Sequence, residues 1–164
     1  MVPRALRYAR RGLASKRTCL AVRAAIRSGV VFTRPEDLSD SQVSDALRAG
    51  WGLRAGKIEY LPVGFGSHHW RATANGQRWF VTVDDLEAKR RRQEEPVEGP
   101  LRRLSAALST AWALREAGMS FVVAPRRTAV GGILHTLGDR FAVALYPHVD
   151  GSPHAWGPYP TRAE

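Results

Sequence analysis

Asn75-Gly76 stands between two β-like runs, His69 to Ala74 and Arg78 to Val83. A two-residue turn of type I′ needs positive φ at both central positions, which Asn and Gly adopt at least cost, so the pair predicts a tight antiparallel hairpin. A third β-like run, Ile58 to Val63, precedes the hairpin, which makes three strands in a row. Three more runs follow later: Phe121 to Ala124, extending past Pro125, then Ile133 to Leu137 and Phe141 to Tyr146. Gly131-Gly132 and Gly138-Asp139 mark the turns between these.

Two helical segments interrupt the strands. Ser39-Asp40-Ser41-Gln42 has the spacing of a capping box, in which Ser39 accepts from the amide three residues on and Gln42 reaches back. Val43, Ala46, Leu47 and Gly50 then recur at helical spacing, predicting a short amphipathic helix over 40–50 that stops at Gly52. Leu101 to Ala117 is the longer helix. Its Leu101, Leu104, Leu108, Ala111, Trp112 and Arg115 recur with period 3.6, and Gly118 suits the residue after its end. Lys89 to Gly99, with Lys89-Arg90-Arg91-Arg92 followed by Glu94, Glu95 and Glu98, reads as an exposed connector of mixed charge. The order predicts an α+β fold: an antiparallel sheet of about five strands with one long helix packed on it.

Charge divides the chain unevenly. Of its 164 residues, 25 are Lys or Arg and 15 are Asp or Glu, a net charge of +10. Met1 to Val31 holds eight of the basic residues and no acid, leaving 17 basic against 15 acidic beyond it. The basicity belongs to this leader, which is expected to be disordered. Arg23 and Arg27 interrupt the apolar stretch that a secretory signal needs, and no Phe, Trp or His interleaves the leader's arginines to stack on bases. Nucleic acid is therefore not the expected partner. No run of about 18 apolar residues predicts a membrane span. The single Cys19 cannot form an internal disulfide, and a cytoplasmic location is expected.

Three stretches carry a family resemblance. They are Leu61-Pro62-Val63-Gly64-Phe65-Gly66-Ser67-His68-His69-Trp70-Arg71-Ala72-Thr73, then Arg78 to Asp84, then Phe141 to Gly151. In that order they resemble the N-lobe of the aminoglycoside/choline phosphotransferase family, whose fold is protein-kinase-like, and in particular its spectinomycin-phosphotransferase-like members. The resemblance implies a lobe over 32–147, with 148–164 the hinge and the start of a truncated linker and the C-lobe absent. It implies binding of ATP or GTP, by Gly64, Phe65, Gly66 and Ser67 at the phosphates and by the backbone of Leu145, Tyr146 and His148 at the base. It also implies transfer of the terminal phosphoryl group to a hydroxyl of a small molecule. Glycines at 64 and 66 fit the first role, because backbone amides can then approach a phosphate closely.

The chain departs from that family on the third strand. The family places a Lys there, paired with a Glu on the long helix; here Thr82 occupies the position, and Arg102 to Arg115 contains no acid. Lys89 and the arginines beside it are the candidates to substitute. His148-Val149-Asp150 matches a catalytic His-x-Asp by letters only, with Ala155 where a metal-binding Asn belongs, so no catalytic residue is assigned and the chain alone is expected to be inactive. Mg²⁺ is expected only with a C-lobe. No His or Cys pair has metal-ligand spacing, and His68 and His69, adjacent on a strand, point to opposite faces. Asp84-Asp85 reads as an acidic strand end. Self-association is expected, through an exposed apolar patch formed by the hinge strand Phe141 to Tyr146 and the tail with Trp156 and Tyr159, which a C-lobe would cover. The alternative classes are a non-catalytic nucleotide- or protein-binding module and a nucleic-acid binder led by the basic arm.

Overall fold

In the computed structural model, which describes residues 33–151, five strands form one antiparallel sheet in the order β1-β2-β3-β5-β4. They are β1 (Lys57–Leu61), β2 (His68–Ala74), β3 (Gln77–Asp85), β4 (His135–Leu137) and β5 (Phe141–Pro147). The helices are α1 (Asp40–Trp51) and α2 (Glu98–Glu116). The leader at 1–31 and the residues from 152 onward lie outside the described residues. The architecture is α+β. No helix among the described residues is long and apolar enough to cross a membrane.

The local signals act as their chemistry requires. Asn75 and Gly76 have φ of 52° and 74°, and the turn joins the Ala74–Gln77 pair at the end of the β2–β3 ladder. Ser39 Oγ accepts from the Gln42 amide at 3.2 Å while Gln42 Oε1 accepts from the Ser39 amide at 2.8 Å. Gly52, in the left-handed region at φ 65°, ends α1 and donates its amide to Arg48.

The helix that seals the sheet is α1, not the longer one. Val43, Ala46 and Leu47 are buried against Trp70, Val81, Val83, Val143 and Leu145, the inward-facing residues of the three central strands. Trp70 is fully buried, and its indole Nε1 donates to Asp40 Oδ1 at 2.8 Å, tying β2 to the first turn of α1. At the other end Gly50 lies so close to β4 that a Cβ there would meet His135 Cβ at 3.0 Å. By contrast, α2 buries only Gly99 and Pro100, and its Leu101, Leu104, Leu108 and Trp112 stay half-buried. It begins at Glu98, ahead of the expected Leu101, because a proline in the first turn costs nothing where amides have no intrahelical partner.

One expected strand is missing. Phe121 to Ala124 runs without a ladder, and the segment meets β5 through the Arg126 amide, which donates to the Leu145 carbonyl at 2.7 Å. Phe121 and Val123 are 83% and 50% exposed, Val122 and Ala124 are only half-buried, and Pro125 has no amide to donate. The following loop straps the end of α1 instead: Trp51 Nε1 donates to the Arg126 carbonyl and the Ala129 amide to Gly50.

Because Leu47 is completely buried at the centre of this layer, Leu47→Ala should lower stability by about 2–5 kcal/mol. Urea unfolding of the full chain measures this, and Leu114→Ala on the exposed side of α2 should cost under about 1 kcal/mol in the same assay.

Candidate functional site

The sheet face away from α1 carries the candidate site. Cross-strand register places Leu61, His69, Thr82 and Ala144 in one row, and Glu59, Arg71, Phe80 and Tyr146 in the next. Residues two apart on a strand share a face, so Phe80, Thr82 and Asp84 form a line along β3. At about 3.3 Å per residue that line spans about 13 Å.

At the hinge end of the line is a largely apolar cleft of about 450 Å³, walled by Leu61, Phe80, Thr82, Tyr146, His148 and Val149, with Val123 and Pro147. Three of the expected residues, Thr82, Tyr146 and His148, therefore meet in one place. Tyr146 is held as the neutral phenol: burial pushes its pKa up to about 12, and the charge of Asp84 adds to this against a hydrogen bond with the Thr82 side chain. Other expectations shift. The Leu145 carbonyl already accepts from Arg126, and the His148 amide donates to the Arg78 carbonyl at 3.3 Å. These two backbone groups are thus engaged within the lobe, and the cleft is lined mainly by aromatic and aliphatic side chains with Thr82 and His148 among them.

At the other end lies the Gly64–Ser67 loop. Gly64 and Gly66 have φ of 90° and 73°. The first is also a place of close approach, since a Cβ at Gly64 would fall 2.4 Å from His69 Nε2. His69 stacks on Phe80 with ring centroids 4.9 Å apart and planes at 25°, and its Nδ1, buried, has no hydrogen-bond partner. Phe65 is 59% exposed at the loop's tip. The Ser67 hydroxyl donates to Asp84 Oδ1 at 2.5 Å, so this side chain ties the loop to β3.

Asp84 is the residue that sequence reasoning set aside. Its side chain is 4% exposed and pairs with Lys89 Nζ at 2.8 Å, while its neighbour Asp85 faces the other way and pairs with Arg140. The two carboxylates therefore do not converge on a common ion. Alternation along β3, two residues to either side of Thr82, is the signal that could have found both Phe80 and Asp84. Asp150 is a surface group whose Oδ2 pairs with Arg78 at 2.6 Å. Among the described residues no group of three or more His, Cys, Asp or Glu side chains is placed to hold a metal. A larger cavity of about 690 Å³ lies between Trp112 and the 120–127 segment; it shares only Val123, Pro147 and Val149 with the cleft and none of the loop.

No protein-family model matches the chain, and no curated protein does. Among solved structures, a spectinomycin phosphotransferase in complex with ADP and spectinomycin matches with a TM-score of 0.51 at 12% identity, over 70% of this chain and 30% of that one. The likeness is one of fold, that of a protein-kinase-like N-lobe. The AMP-bound complex of a spectinomycin phosphotransferase gives a TM-score of 0.48 at 14% identity over 68% of this chain and 29% of that one. The lobe spans about 30% of the length of the first matched structure.

Burial pushes His68 and His69 below the ordinary imidazole value of 6.5, against the upward pull of Asp84 and, at His68, of Asp85. Both rings are then neutral in the folded lobe at pH 7. A depressed folded pKa means the unfolded chain binds more protons below pH 6.5, so this stability is complete above that value and lost as pH falls through the folded pKa. The melting temperature should therefore decline between pH 7 and pH 5, and His69→Gln should flatten that decline; an unchanged slope would contradict the reading.

Proposed function

We propose that this lobe binds a purine nucleotide along the β3 line, with the base in the cleft of Leu61, Phe80 and Tyr146 and the phosphates against the Gly64–Ser67 loop. The observation that carries the reading is the pairing, on one sheet face, of an apolar aromatic cleft with a glycine loop that approaches its own sheet too closely for side chains. A flat base suits the first, through stacking and apolar burial. A polyphosphate suits the second, because bare backbone amides are its usual cradle. Thr82, between them, lines the cleft with a hydroxyl where the resembled family has a charge.

The structural neighbour's ADP and spectinomycin support the wider reading, in which the lobe serves transfer of a phosphoryl group from ATP or GTP to a hydroxyl of a small acceptor. Residues 32–147 are proposed as that lobe. Phosphoryl transfer depends on positioning and charge neutralisation by acidic metal-binding groups, and residues 33–151 supply the nucleotide side of that task alone. Calorimetric titration of the full chain with ATP and with GTP tests the reading. Saturable binding of at least one is expected, and Gly64→Val, whose side chain would enter the space of His69, should weaken it by about tenfold or more. Binding of neither nucleotide by the native chain would remove the proposal.

A second reading, a face for another protein chain, rests on exposed apolar groups around the larger cavity and not on the hinge strand, whose Phe141 to Leu145 are buried in the sheet. Phe121, Val123 and Val149 are 83%, 50% and 62% exposed, a clustering that monomers seldom leave open. Self-association through this face should persist from low to high salt, because it is apolar rather than ionic. Sedimentation of the full chain distinguishes the cases: a monomer at micromolar concentration, or association that salt abolishes, would exclude this face as its cause.

A further inference from the structure

Lys89 stands on the connector after β3, yet its side chain folds back onto the sheet. Its Nζ pairs with Asp84 Oδ1 at 2.8 Å and lies 3.8 Å from where a Cβ would stand on Gly66. That puts an ammonium group directly beside the glycine loop. An ammonium has three donors, and the Asp84 bond occupies one. The Lys89 side chain is 32% exposed, so the remaining donors are reachable from solvent.

The surroundings hold it there. The same Asp84 oxygen, Oδ1, also accepts from the Ser67 hydroxyl. The Lys89 carbonyl accepts from Arg103 Nη2 at 3.1 Å, and Arg103 in turn grips Glu95 with both of its terminal nitrogens. Arg103 holds the Glu95 carboxyl down to about 2, so the clamp is charged throughout the neutral range. The helix thus positions the cation through its backbone, although α2 contributes no acid to pair with it. Three other basic groups are committed elsewhere: Arg71 to Glu59, Arg90 to Glu87, and Arg140 to Asp85 and Asp37.

Resting on the nucleotide reading above, we propose that Lys89 is the phosphate-binding cation of this lobe, delivered from the β3–α2 connector to the place that Thr82 leaves without charge. Asp84 is its positioning residue, fixing the ammonium beneath the loop while leaving donors for the α- and β-phosphates.

The test compares ADP with adenosine, titrated into the full-length native chain, Lys89→Met and the double variant Asp84→Asn/Lys89→Met. The double variant removes both charges, so it stays interpretable if the single change leaves Asp84 unneutralised and the chain unfolds; thermal melting checks each. The native chain should bind ADP more tightly than adenosine, and the variants should lose about ten- to a hundredfold of ADP affinity with adenosine affinity unchanged. If the native chain shows no preference for ADP, or the folded variants retain it, Lys89 is not the phosphate cation and the base-binding reading stands. If the native chain binds neither ligand, the nucleotide reading itself fails, and the Lys89 assignment with it.

Discussion

A carboxylate that is almost wholly buried must be neutralised where it stands, because an unpaired charge away from water is far costlier than a polar group. Asp84 is that group in this lobe. Its two partners come from different parts of the chain: Ser67 from the glycine loop and Lys89 from the connector to α2. One oxygen therefore joins the loop, the third strand and the connector, and the site's shape follows from that junction. With Asp84 in place the loop is pinned over His69 and the ammonium is pinned beneath the loop.

The other face of the sheet supplies the rigidity that this junction needs. Trp70, Val81, Val83, Val143 and Leu145 pack on α1 with no polar group left exposed among them, and the Trp70–Asp40 bond fixes the helix in register. Strands built this way carry alternate residues to opposite faces, so a well-packed inner layer also fixes where Phe80, Thr82 and Asp84 stand on the outer one. The long helix contributes differently. With few buried side chains, its part in the site runs through Arg103 and the connector.

Much of the fold was legible because its signals are local. The capping box at Ser39 and Gln42, the stop at Gly52 and the turn at Asn75-Gly76 each need only neighbouring residues, and each forms as read. The errors fell where distant residues decide. Phe121 to Ala124 has strand composition but no covering face, and the period of Leu101 to Trp112 does not say which surface it meets. In the site, Gly64, Gly66, Thr82, Tyr146 and His148 were named from resemblance to a known family, and the structure brings Thr82, Tyr146 and His148 into one cleft. Asp84 passed as a strand-end acid because its partner Lys89 reaches it only after the chain has turned back.

Backbone amide spectra of the isotopically labelled full chain, recorded as ADP is added, test the central claim that one sheet face is a nucleotide site. The account predicts progressive shifts at Gly64 to Ser67, Thr82, Lys89 and Tyr146, with the α1 core residues Val43 and Leu47 unmoved. Shifts confined to the cavity beside Trp112 and Phe121, with the loop and β3 unchanged, would contradict it.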